Sequence, residues 1–75
     1  MSTKPNWSVD EHTRPEEAVK LAMEREKAAR EFYLHCAGIV TDPGVKKMFE
    51  FLASEEGRHF ALLEKEYDRF IATEN

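Results

Sequence analysis

The sequence predicts an all-α protein, an antiparallel two-helix hairpin that pairs with a second copy to complete a four-helix bundle. Apolar residues recur at helical spacing over two long stretches, a Thr-Asp-Pro-Gly break separates them, and no strand signal occurs. The composition adds the pairing. Of 75 residues, 41% are hydrophobic and 35% charged, so a lone hairpin would leave one apolar face wet unless another chain covered it. Domains usually run to about 100 to 150 residues, so the chain holds one small domain at most.

Residues 1–12 form an N-terminal arm that mixes Lys4, Pro5, Asn6 and Ser8 with the single Trp7; it reads as either disordered or pinned by that indole, with pinning the preferred reading. The hairpin follows over residues 13–75. Thr13, Arg14, Pro15 and Glu16 make a start signal: Thr13 as cap, Glu16 three residues on to complete a capping box, and Pro15 in the first turn. The first helix is expected over about 14–40. Asp42 is then placed to cap the second helix, with Pro43 in its first position, where the missing N–H costs nothing. Apolar periodicity resumes from Val45 through Ile71 without another proline, giving a second helix over about 43–72. Gly38 and Gly57 fall inside these helices at about 1 kcal/mol each relative to Ala, and the pattern supplies no reason for either.

A net charge of -4 argues against nucleic acid, since phosphate binding needs a basic stripe. Cations suit such a surface better. No stretch of about 18 apolar residues is present and the first dozen residues lack the apolar core of a signal peptide, so no membrane partner and a cytoplasmic location are expected. The single Cys36 has no partner for an internal disulfide, and a four-Cys site for zinc or iron is absent.

The informative residues are charges on the inward rows. On the first helix, steps of four and three run Ala18, Ala22, Glu26, Ala29, Tyr33, Cys36 and Val40. On the second they run Val45, Phe49, Leu52, Glu56, His59 and Leu63, continuing through Glu66 or Tyr67 to Phe70. Glu26, Glu56 and His59 interrupt otherwise apolar rows. A buried carboxylate without a partner costs several kcal/mol, so these groups require mutual pairing, a shifted pKa or a bound cation. Glu26 lies 14 residues before Val40 and Glu56 lies 13 after Pro43, so at about 1.5 Å per residue both stand roughly 20 Å from the turn.

Glu56 and His59, three positions apart, fall on one face of a helix and can converge on one ion. One hairpin thus supplies half of a dinuclear ligand set, which in di-iron bundles consists of a Glu from each of two helices and a Glu-x-x-His from each of the other two. Two copies supply the whole set. Carboxylate oxygens with one imidazole per metal suit iron or manganese, whereas structural zinc more often recruits Cys.

Each group also has a bland reading. Glu26 alone reads as a structural carboxylate paired with Arg30 four residues on, and Glu56 alone as a solvated helix charge. The three at matched height on facing rows read as a metal site, because buried ionisable clusters are rare without a function. Tyr33 either hydrogen-bonds a carboxylate or packs. Cys36, the five phenylalanines, Met23 and Met48 read as core or interface. Glu55 and Glu66 read as surface charges, and Arg58 faces outward toward Glu55. His12 and His35 have no evident partners.

The segments MEREKAAREFY, TDPGVKKMFEFLA and SEEGRHFALLE resemble the rubrerythrin-like branch of the ferritin-like superfamily, over about residues 15 to 70. The one-hairpin length is most similar to the encapsulated ferritins, half-ferritin chains that dimerise to create a ferroxidase centre between subunits and assemble into rings. The resemblance implies iron oxidation and storage, with two Fe ions per dimer (Mn or Zn being able to substitute in a crystal), and with Fe(II) and O2 or peroxide as reactants. It implies Glu26, Glu56 and His59 as metal ligands, Glu56 as the bridge, and Tyr33 close to the metals. Where encapsulated ferritins carry further acidic residues for iron access, this chain has Arg25 and Ala28. It ends ATEN, without the extension that targets such proteins into an encapsulin shell, so the C-terminus does not support the shell partner that the resemblance leaves open. Rubrerythrin-like peroxide reduction uses the same ligands and would need an external electron donor, the Cys-rich iron module of full-length rubrerythrins being absent. A non-catalytic metal-binding or structural module is the alternative of a different class.

Overall fold

A computed structural model describes the backbone of residues 7–74 and the side chains of residues 7–72. Residues 1–6 of the expected arm lie outside the described residues. The rest is two long antiparallel helices, α1 (Pro15–Ile39) and α2 (Pro43–Glu74), with no strand among the described residues. The hairpin is therefore the fold, as the periodicity predicts.

The start of α1 departs from the expected capping box. Thr13 does not cap it: the Thr13 hydroxyl accepts from the Asp10 backbone N–H at 2.8 Å and closes a turn with Asp10. The N-cap is Arg14, in extended conformation, and its carbonyl accepts from the N–H groups of Glu17 and Ala18. The cause is Pro15. A residue before proline is pushed out of the helical region, so Arg14 cannot be the first helical residue, and the cap moves one place on. Glu16, deprived of its role, pairs with the Arg14 guanidinium at 3.2 Å.

The turn follows the expected chemistry. Asp42 precedes Pro43, and its carboxylate accepts from the Val45 N–H at 2.9 Å while its carbonyl accepts from Lys46. Lys46 then reaches back to donate to the Ala37 carbonyl at 2.7 Å, placing a cation at the carbonyl end of α1, where it is favoured. Trp7 is pinned as well: the Arg25 guanidinium lies over its ring, 5.4 Å from the centroid.

Packing between the helices is thin. Tyr33 stacks on Phe49 at 6.1 Å between ring centroids, and Ala37 and Ala53 are the buried hydrophobic residues among those described. In contrast, Phe32, Ile39, Met48, Phe51 and Leu62 are 48 to 64% exposed. Their placement is not scattered. At about 100° per residue, Phe32 and Ile39 lie roughly 120° and 140° around α1 from Glu26. Met48, Phe51 and Leu62 lie roughly 80° to 140° around α2 from Glu56 in the same rotational sense. Because the helices are antiparallel, equal senses lead to the same side of the hairpin. One broad side thus carries five of the eight exposed large apolar residues of the two helices, whereas Leu34 and Ile71 lie on the other side; such a patch marks a surface suited to a partner. No described helix is long and apolar enough to cross a membrane.

Candidate metal centre

Glu26 comes from the middle of α1, Glu56 and His59 from the middle of α2, and the hairpin brings them together at the same height. His59 Nδ1 is 3.6 Å from Glu26 Oε2 and 3.7 Å from Glu56 Oε2. One ligand atom from each residue can be chosen so that all three lie within 4.8 Å of one another. Metal–ligand bonds of about 2.1 Å place neighbouring donors about 3 to 4 Å apart, so slight side-chain adjustment accommodates an ion. Glu56 and Glu26 are shielded, with side chains 18% and 26% exposed, while His59 at 44% reaches the surface.

The electrostatic position of Glu26 is unusual. Its Oε2 is buried and has no hydrogen-bond partner, a costly state for a carboxylate oxygen. The bland reading offers no relief, since Glu26 makes its ion pair with His59 and none with Arg30 among the described residues. Arg30 instead drapes across Gly57: a Cβ built there would stand 3.6 Å from Arg30 Nε and 3.8 Å from its Cδ. Together with Lys27 and Phe60, these residues and Glu26 line an open cleft of about 420 Å³. It lies on the side opposite the exposed apolar residues, because Lys27, Arg30, Gly57 and Phe60 are rotated roughly 40° to 100° the other way from Glu26 and Glu56. Sequence reasoning missed this cleft; the only signal was an unexplained glycine beside Glu56.

Tyr33 stacks on Phe49, and its hydroxyl makes no hydrogen bond to Glu26 or Glu56 among the described residues. Arg58 donates to Glu55 at 2.6 Å, and that bond is the main cause holding the Glu55 carboxyl below its ordinary value. Glu66 is held by Arg69 at 2.7 Å. Both acids are thereby occupied as surface pairs, although Glu55, next to Glu56, also has His59 as a minor cause of the same lowering. His12 is exposed beside Glu11, Cys36 is half-buried, and His35 is exposed.

A carboxylate and an imidazole at i and i+3 on one helix, facing a carboxylate on its neighbour, are now joined by a sequence match: the family model described as Rubrerythrin covers residues 1–72. The chain belongs to the rubrerythrin family. No curated protein and no solved structure matches it significantly. Membership places the chain within the ferritin-like superfamily and implies iron. The residues of this rubrerythrin-family chain fit that ion. Two carboxylates and one imidazole form a hard, mixed O/N donor set suited to iron, and a bound cation would satisfy the orphaned Glu26 oxygen.

Proposed function

We propose that two copies of this chain pair through their apolar sides into a four-helix bundle, and that Glu26, Glu56 and His59 of each copy hold two iron ions at which Fe(II) is oxidised. The observation that carries this reading is the convergence of Glu26, Glu56 and His59, with donor atoms of all three residues within 4.8 Å and the buried Glu26 Oε2 making no hydrogen bond. Three ligands are half of the dinuclear set of ferritin-like bundles, and a two-fold axis at that height supplies the other half. The side exposing Phe32, Phe51 and Leu62 is the surface such pairing would bury.

Iron bound there supplies one-electron redox chemistry: two Fe(II) give two electrons to O2, which takes up two protons and becomes H2O2. The chain's residues do the rest. Four carboxylates per dimer match the charge of two divalent ions, so loading needs no further counter-ion. Glu56, the most shielded of the three, would hold the ions together with Glu26 and His59. Neutral His59 would ligate through a ring nitrogen. Tyr33, stacked on Phe49, walls the site toward the turn.

The family match itself favours a second reading, peroxide reduction at the same ligands with an external donor, and the two share every residue. Anaerobic Fe(II) titration with mass measured in solution tests the first step. One iron per chain in a species of at least dimer mass, with a fast absorbance change on exposure to O2, supports it; no saturable binding refutes it. A larger ring, as the likeness to encapsulated ferritins implies, would be seen in the same mass measurement. Faster oxidation by peroxide than by O2 would select the second reading. Glu56→Ala or His59→Ala is expected to keep the helices and abolish metal-dependent oxidation.

A further inference from the structure

The arm also has a place in this pairing, and the inference rests on the dimer proposed above. From Ala18, alternating steps of four and three along α1 give Ala22, Arg25, Ala29, Phe32, Cys36 and Ile39. This row lies on the apolar side, and Arg25 is its single charge. Covering a bare guanidinium with a second copy would strip its water without return. Trp7 removes that difficulty. Its ring lies against the guanidinium, 5.4 Å from centroid to Cζ, and its carbonyl accepts from Arg25 Nη2 at 3.4 Å, while the indole remains 58% exposed.

We propose that Trp7 is an anchor of the interface between two copies, its indole covering Arg25 with one face and packing into the partner with the other. The row then presents apolar surface along its length. The occupant is a second copy because Arg25 adjoins Glu26, at the height where the ligand set is half complete; an axis there carries both arms to the same level. Tryptophan and arginine are the residues that most often dominate such contacts, and a pre-positioned indole loses little freedom on binding. A cation–π contact also strengthens as water is excluded.

Trp7 is the single tryptophan, so its fluorescence reports on it alone. The full chain, metal-free, is diluted while sedimentation follows its mass. Emission is expected to move to the red as dimers dissociate, and acrylamide is expected to quench the dimer less than a free tryptophan. Trp7→Ala should raise the dissociation constant at least tenfold with helicity unchanged, Trp7→Phe should recover most of that, and in an Arg25→Met background Trp7→Ala should cost less than threefold. Unhindered quenching in the dimer, or an unchanged dissociation constant in Trp7→Ala, overturns the anchor and leaves the pairing intact. A chain that stays monomeric at every concentration, with and without Fe(II), overturns both.

Discussion

Replacing Glu26 by Met should separate stability from metal binding. In the metal-free chain Glu26 Oε2 is buried and makes no hydrogen bond, and leaving a buried polar atom unsatisfied costs about 1 to 3 kcal/mol. The side chain is 26% exposed and His59 Nδ1 stands 3.6 Å away, so the lower end of that range applies. Methionine keeps the length and stem of glutamate and removes the oxygens, a replacement that is often neutral or stabilising at buried charges. A gain of about 1 kcal/mol would raise the unfolding midpoint by about 4 to 8 °C in a domain of this size.

Thermal unfolding followed by circular dichroism, at one fixed protein concentration, is the assay. With chelator present, Glu26→Met should melt above the wild type. With metal at about 100 times its dissociation constant, the wild type should gain about 2.7 kcal/mol and the variant little, because linkage rewards the state that binds. The order of the two midpoints then reverses. A variant that melts below the wild type in chelator would refute the reasoning, since it would show Glu26 already satisfied without metal.

The remaining predictions concern the scaffold. Gly38→Ala should stabilise by about 0.5 to 1 kcal/mol in denaturant unfolding, because an added Cβ meets nothing within 4 Å and its φ is negative. Asp42→Ala should cost about 1 kcal/mol by removing the cap on Val45 N–H, whereas Thr13→Ala, which caps no helix, should shift the urea midpoint much less. Arg58→Ala should return the Glu55 titration, read by NMR, to the ordinary carboxylate range. As the folded Glu55 pKa is depressed, its contribution is present above the unfolded pKa and lost as pH falls through the folded one. The variant should therefore show a weaker loss of melting temperature on acidification.

The hairpin was legible because two long helices and one Asp-Pro-Gly turn are local matters, written in spacing of three and four and in the special backbone of proline. So was the meeting of Glu26, Glu56 and His59, since equal distances from a turn translate directly into equal heights on antiparallel helices. The cap of α1 was misread because two local rules compete at Thr13-Arg14-Pro15, and the restriction imposed before proline wins over the capping box. Gly57 and Arg30 were opaque for a different reason. Their relation is a contact between helices, set by which way a long side chain falls, and periodicity carries no information about that. Arg25 read as a departure from the acidic residues of encapsulated ferritins, but its stacking against Trp7 joins residues 18 positions apart through an arm without periodicity.

With only Ala37 and Ala53 buried among the described residues, a single hairpin has little core of its own, and isolated helices draw most of their stability from packing. Folding, pairing and metal loading should therefore be linked rather than sequential. In the proposed dimer a second copy would supply the missing apolar cover, and the same contact would complete the ligand set while bringing its negative charges together. Two such halves brought together without metal place four carboxylates at one level, a repulsion that apolar burial must overcome. Metal reverses its sign. It follows that Fe(II) or Mn(II) should lower the dimer dissociation constant, and that Glu26→Met, which removes two of the four charges, should dimerise more tightly than the wild type in chelator and respond less to either ion. Sedimentation across a concentration series with and without metal measures both quantities. Equal metal responses in the two proteins would disconnect the cluster from the interface.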